Sequence, residues 1–286
     1  MEFLKYHALG NDYLVLTSEN PEYAEAELKV EQVRKICHRN YGLGSDGILV
    51  GGKDTSGNHF RLTIFNPDGS KAEKSGNGLR IFARSLWDRE LVKELPFQIM
   101  TSGGLVSAQV ESSGKSVTVE MGSVTFQSDS IPVTGKSREV LNETLEINGE
   151  EISFCAATIG NPHCIVLNHK ISAEEAGRIG PLLEIHPNFP NRTNVQLLEV
   201  LNRGTIRIEI WERGVGYTLA SGSSSSAAAA VAHRLGFCDA EISVLMPGGQ
   251  IDIAISENYE ITMKGSVTRI GKMSLDLECL DFEIPA

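Results

Sequence analysis

Two Ser-Gly pairs, Ser75-Gly76 and Ser221-Gly222, each open a segment of helical character. Gly76-Asn77-Gly78 and Gly222-Ser223 leave backbone N–H groups uncovered at the positive end of a helix, an arrangement that binds carboxylates and other anions. The structural alternative is that each serine is an N-cap and nothing more, since serine is among the best caps. Two such starts in register point further, to one small anionic ligand gripped from both sides. Asn11, Asn66, Asn161, His163 and Asn194 lie in turns that contain Gly or Pro. A single turn asparagine is explained by its tolerance of left-handed backbone. Glu212 and Arg213 are harder to explain that way, because they follow directly on the apolar strand TIRIEIW. Arg213 can fork onto a carboxylate and Glu212 can meet an amine. Amides, a guanidinium and a carboxylate together describe an amino-acid pocket.

The elements that must position these residues come in two copies. ALGNDYLVL at 8–16 parallels TIGNPHCIVL at 158–167, and RLTIF ending at Phe65 parallels RIEIW ending at Trp211. Phe65 to Ser75 spans the same ten steps as Trp211 to Ser221, and Gly10 to Ser75 matches Gly160 to Ser221 within a few residues. Three correspondences in one order indicate an internal duplication. Alternating apolar residues predict strands at 59–65 and 205–211, with further strands at Leu105–Glu111, Ser116–Met121, Glu151–Thr158, Glu241–Met246, Gln250–Ile255 and Tyr259–Met263. Helices are expected near 30–40, after Ser75, near 172–185 and after Ser221. The last, SSSSAAAAVAHRLG, is small and apolar on nearly every side, so it reads as buried and ending at Gly236. The expected fold is α+β: two pseudo-symmetric lobes, each a mixed curled sheet wrapped around a central helix. The boundaries read as 1–120, completed by 270–286, and 121–269, with a linker near 122–145.

With 286 residues, 41% hydrophobic and 22% charged, the chain has globular composition. Its formal charge of −11 argues against nucleic acid or an anionic membrane as partner. No stretch approaches the roughly 20 apolar residues of a membrane helix, and the N-terminus does not read as a signal peptide. Five cysteines in no CxxC or Cys/His spacing fit a reduced, cytoplasmic protein without structural zinc or disulfides. Gly42-Leu43-Gly44-Ser45-Asp46-Gly47 fits GxGxxG but follows a helix and precedes a strand, the reverse of the dinucleotide fingerprint. Neither serine lies in a GxSxG elbow.

HALGNDY at 7–13, YGLGSDGI at 41–48, FNPDGS at 65–70, SGNGLR at 75–80, GNPH at 160–163, PNRTNV at 190–195 and WERGVG at 211–216 resemble, in order and spacing, the diaminopimelate epimerase family. The resemblance runs the length of the chain. It implies a cofactor-independent isomerase that inverts LL-diaminopimelate to meso-diaminopimelate, a precursor of lysine and peptidoglycan, in a cleft between two lobes. No pyridoxal phosphate or metal is expected, and the partner is a small amino acid. A homodimer paired by strand edges is a further expectation. In the family, a cysteine thiolate removes the α-proton while a second cysteine delivers a proton to the opposite face. Those two positions are Ser75 and Ser221 here. By the same resemblance Asn11, Asn66, Asn161, Asn194, Glu212 and Arg213 fall on substrate-binding positions. His163 falls beside the acid/base pair, and Gly76, Asn77, Gly222 and Ser223 fall on the carboxylate grip. The family's glutamate before Thr-Leu-Ala is Tyr217, and its Gly-Thr-Gly after the second cysteine is Gly222-Ser223-Ser224.

A thiol ionises near pH ~8.5, whereas an alcohol is several units weaker and needs a base to activate it. Binding with slow turnover is therefore the expectation. A non-catalytic amino-acid-binding homologue, a diverged racemase of another amino acid, and an enzyme using Tyr217 or His163 as base are the alternatives. Tyr217 and the Ser-rich run 223–226 point to natural divergence rather than replacement at two sites.

Overall fold

A computed structural model describes residues 1–17, 28–54, 57–167 and 171–281. Contacts divide the chain into one unit of Met1–Val119 with Gly265–Ala286 and a second of Glu120–Lys264.

In the first unit, β-branched and aromatic residues at alternate positions build a mixed sheet. Strand Glu2–Ala8 pairs antiparallel with both Thr268–Ser274 and Asn11–Thr17. Asn11–Thr17 then runs parallel to Ile48–Lys53, which is antiparallel to Phe60–Phe65. Phe60–Phe65 lies parallel to Phe97–Thr101, and Phe97–Thr101, Gly104–Val110 and Ser116–Ser123 follow as antiparallel neighbours. Each parallel step needs a crossover, and each crossover contains a helix. Helix Val30–Cys37 carries the first and helix Gly76–Asp88 the second. Val33, Ile36 and Cys37 form the buried stripe of the shorter helix, packed with Phe3, Leu14, Ile48, Val50, Phe65 and Leu275. Leu280, in the short helix Glu278–Asp281, packs on this cluster too, and its carbonyl accepts from Lys35 Nζ at 2.6 Å. Residues 282–286 of the segment read as returning to the first lobe lie outside the described residues.

The second unit repeats this order and polarity. Glu143–Ile147, Glu150–Thr158 and Pro162–Leu167 are antiparallel neighbours, and Pro162–Leu167 is parallel to Asn194–Asn202. Asn194–Asn202 is antiparallel to Thr205–Glu212, which is parallel to Glu241–Met246, itself antiparallel to Gly249–Ile255. Helix Ala173–Glu184 carries the first crossover and helix Gly222–Arg234 the second. Ala227 through Ala232 are fully buried, and this helix touches six strands of its own unit. Alanines let the surrounding sheet approach on all sides, the all-round burial expected of such a sequence. It ends at Arg234; Gly236, at φ +76°, takes the left-handed turn, with its N–H donated to His233 O at 2.9 Å. The mixed sheet wrapped on a central helix is thus built twice.

The segment read as a linker near 122–145 is folded instead. Ile131, Val133, Val140 and Leu145 are buried in the second unit's outer core with Phe154, Ile179 and Leu183. Thr125 bridges to Thr158, and Gln127 to Glu139. Its Ser, Thr and Gly content reflects irregular backbone, while sparse apolar residues anchor it. The GxGxxG segment is a turn between helix Val30–Cys37 and strand Ile48–Lys53, as its order in the sequence requires.

Candidate active site

Each serine caps its helix. Ser75 has extended backbone (φ −143°, ψ 119°), and its Oγ accepts from Gly78 N–H at 3.1 Å. Ser221 repeats the conformation (φ −144°, ψ 126°), and its Oγ accepts from Ser224 N–H at 3.5 Å. The first N–H groups of a helix have no carbonyl acceptor within it, so both starts present donors to an anion. Arg80, fully buried one turn into the first helix, adds positive charge there and donates to Asn77 Oδ1 at 2.8 Å. Burial pushes its guanidinium down to about 10, which still leaves it protonated at neutral pH.

The glycine-asparagine turn meets the helix start in each unit, as acceptor in the first and as donor in the second. Asn77 Nδ2 donates to Asn11 Oδ1 at 3.0 Å, and Asn161 Nδ2 donates to Ser223 Oγ at 3.4 Å. Asn77 and Ser223 are each the second residue of their helix, so the two bonds join equivalent positions with opposite polarity. Asn11 is held from behind by Asp46, which accepts from Asn11 Nδ2 at 2.9 Å and from Asp12 N–H at 3.0 Å. Arg39 bridges Asp12 and Asp46 at 2.8 and 2.6 Å, and Lys5 reaches Asp12 at 2.9 Å. Burial alone would raise the Asp12 carboxyl, but hydrogen bonds from Arg39 and Lys5 outweigh it and hold it below the usual range. Tyr13, which aligns with His163 in the repeat, places its hydroxyl 3.5 Å from Ser75 Oγ.

In the second unit His163 is fully buried, with Nε2 3.0 Å from Asn161 Oδ1. Burial lowers its pKa to about 3; Gln196 favours the protonated ring and Arg213 opposes it. His163 is therefore a neutral imidazole at neutral pH. Asn194 is buried and committed to backbone: Nδ2 donates to Pro162 O at 2.8 Å and Oδ1 accepts from Arg213 N–H at 3.0 Å. It shapes the loop bearing Arg213. Arg213 itself is exposed and donates to Asn191 O at 2.9 Å. Glu212 accepts from Thr218 Oγ1 at 3.3 Å. Asn66 closes its own turn, with Nδ2 donating to Ser70 Oγ at 3.0 Å.

Tyr217 faces elsewhere. It pairs with Trp211 across the strands and packs with it on the outer-helix cluster, whereas Glu212 and Thr218 point to the other face. Its hydroxyl donates to Glu209 Oε2 at 2.6 Å, and burial together with Glu209 pushes its pKa up to about 12. That phenol is a poor base, and the alternative built on it has no support in this geometry. None of the five cysteines stands at the start of either serine-capped helix, and burial raises the thiols of Cys37, Cys155, Cys164 and Cys238.

Three supporting residues escape a reading of the sequence. Glu184, in the last turn of helix Ala173–Glu184, accepts from Trp211 Nε1 at 2.7 Å, from Gly214 N–H at 2.8 Å and from Arg192. It thereby holds the loop that follows Glu212, with no sequence signal to mark it. Gln196 is a lone polar residue in an apolar strand, and Asp46 sits inside the false GxGxxG match. Among the described residues no cluster of His, Cys, Asp or Glu is arranged to hold a metal, and no helix is long and apolar enough to cross a membrane.

Solved structures share this fold. A hydroxyproline epimerase from Agrobacterium vitis superposes with a TM-score of 0.68, covering 96% of this chain and 90% of the other at 17% identity, a likeness of fold. The family model for diaminopimelate epimerase matches residues 3–127 and 155–270, one segment in each half. Diaminopimelate epimerase 2 of Nostoc sp. is 56% identical over 283 residues, covering 99% of this chain and 98% of its own. The diaminopimelate epimerase of Desulfitobacterium hafniense is 36% identical over 276 residues, covering 95% and 97%. The chain belongs to the diaminopimelate epimerase family and is an isomerase of the epimerase/racemase type.

Proposed function

We propose that the protein inverts an α-carbon of diaminopimelate, from the LL to the meso form, without a cofactor. The two helix starts hold the α-carboxylate, and Ser75 and Ser221 occupy the acid/base positions. One face of the α-carbon loses its proton to the base, the resulting carbanion is held beside the N–H donors, and the opposite face takes a proton from the second hydroxyl. Asn11, Asn66, Asn77, Asn161, Glu212 and Arg213 bind the rest of the substrate, while Asn194 holds the Arg213 loop. The observation that carries this reading is the glycine-asparagine turn bonded to the second residue of a serine-capped helix, built once in each unit.

Turnover by serine is slow in this proposal. Ser221 Oγ takes a hydrogen bond from Ser224 N–H, and the neighbouring imidazole is neutral, buried and engaged with Asn161. A shortfall of several pKa units against a thiol, at about 1.4 kcal/mol each, corresponds to at least about four orders of magnitude in rate. The test is loss of the α-proton of LL-diaminopimelate in deuterated buffer, followed by NMR for the unmodified protein and for Ser75→Cys/Ser221→Cys. Recovery or strong acceleration in the cysteine variant supports the reading. Silence from both folded proteins overturns the substrate assignment. A homodimer is part of the same proposal, on the family resemblance, and a monomer by light scattering overturns it.

A further inference from the structure

Behind the second serine lies a run of buried polar groups that the proposed chemistry does not use directly. His163 and Gln196 stand on neighbouring parallel strands, where His163 is opposite Asn194, so that Gln196 is two residues further along the same face. Both are fully buried. The Gln196 amide nitrogen lies 3.0 Å from Ser224 Oγ, at the third residue of helix Gly222–Arg234. On the other side of the ring, Nε2 lies 3.0 Å from Asn161 Oδ1, and Asn161 Nδ2 reaches Ser223 Oγ. Two buried atoms in this run have no hydrogen-bond partner: His163 Nδ1 and Gln196 Oε1.

A neutral imidazole has one donor and one acceptor nitrogen. If Nε2–H donates to Asn161 Oδ1, Nδ1 is a lone pair, and a Gln196 side chain that turned its Oε1 to the ring would set acceptor against acceptor; neither atom has a hydrogen-bond partner. A half-turn of the Gln196 amide removes the conflict. Its NH2 then donates to Nδ1, and its oxygen accepts from the Ser224 hydroxyl, which satisfies both orphaned atoms at once. The rival arrangement turns Asn161 instead, giving an Nδ1–H ring that donates to Gln196. That rival would aim the Asn161 carbonyl at the helix start, where a carboxylate needs donors. The first arrangement leaves Asn161 Nδ2 pointing there.

We infer that Gln196 is a positioning residue: by donating to His163 Nδ1 it locks the neutral Nε2–H tautomer, which in turn holds Asn161 with its NH2 toward the substrate carboxylate. The consequence for the substrate rests on the epimerase reading, but the tautomer does not. Burial in the ring's pocket and the positive charge of Arg213 both oppose a second proton.

The experiment is NMR of the full-length protein with 15N-labelled histidine, alone and with Gln196→Glu. The expected wild-type signature is a protonated Nε2 and an unprotonated Nδ1, unchanged between about pH 5 and 8. An Nδ1–H tautomer, or a ring that titrates in that interval, overturns the inference. Glutamate can only accept when ionised, so Gln196→Glu is expected to place a proton on Nδ1. It should also weaken diaminopimelate binding on the order of tenfold by calorimetry, since Asn161 loses its fixed orientation. A tautomer unmoved by Gln196→Glu removes Gln196 from the role; if that variant does not fold, the wild-type spectrum alone decides. The predicted tautomer in a protein that neither binds nor exchanges diaminopimelate would sink the substrate reading and leave this inference standing.

Discussion

A buried carboxylate helps to hold the loop that carries Arg213, and Glu184→Gln isolates what that carboxylate contributes. Glu184 is 5% exposed, and its two oxygens serve Trp211 Nε1 at 2.7 Å, Gly214 N–H at 2.8 Å and the Arg192 guanidinium. Glutamine fills the same volume, so no cavity forms, but it offers one oxygen where the carboxylate offers two. Its NH2 must then face either the indole N–H or the Gly214 N–H, donor against donor. One buried donor left unsatisfied costs about 1–3 kcal/mol, and loss of charge assistance on the remaining bonds adds roughly 1 kcal/mol. The Arg192 pair is discounted, because that side chain is half exposed. The expected loss is thus about 2–4 kcal/mol. At about 2–4 °C per kcal/mol for a chain of this order of size, Tm falls by roughly 4–16 °C in a calorimetric scan. Diaminopimelate binding should weaken in parallel, since Gly214 and Trp211 flank Glu212 and Arg213. A Tm within about 1 °C of the wild type, with the binding constant unchanged, would refute the claim that Glu184 holds this loop.

Other perturbations follow from the same geometry. His163 has its folded pKa depressed to about 3, so as pH falls below about 6.5 the unfolded chain takes up a proton that the folded chain refuses. Its contribution is present above that pH and lost on acidification at up to about 1.4 kcal/mol per pH unit, so His163→Gln should flatten the acid limb of a urea-midpoint profile between about pH 6.5 and 4.5; parallel limbs in the two proteins contradict it. Gly180→Ala places a methyl group 2.6 Å from Trp211 Cβ and Cγ, which requires the helix or the indole to move. A loss of about 1–3 kcal/mol is expected in urea unfolding, and a neutral result would show that the contact relaxes freely. Asp46→Ala removes the acceptor behind Asn11 and should weaken diaminopimelate binding about tenfold by calorimetry; unchanged affinity would separate Asn11 from the binding site.

Much of this protein was legible before any coordinates, because repetition and periodicity are local properties. The two Ser-Gly starts, the ten-step spacing from Phe65 to Ser75 and from Trp211 to Ser221, and the all-round burial of the alanine helix follow from residue type and order alone. The segment 122–145 reads as a linker for the complementary reason: its few apolar residues, such as Ile131 and Val140, gain meaning only from the Phe154 and Ile179 they meet.

The serines in both helix starts, and hence the weak acid/base pair, are a property of the sequence by itself. Tertiary structure decides what surrounds them. Tyr217 looked available as a base until strand pairing put it beside Trp211 and gave its hydroxyl to Glu209. Asn194 falls on a substrate-binding position by resemblance, and the fold sets its amide between Pro162 O and Arg213 N–H. Glu184, Gln196 and Asp46 acquire their roles from partners 7 to 35 positions away. Residue type fixes what a side chain can do; only the fold, by burial and by the partners it brings within about 3 Å, determines which of those capacities remains free.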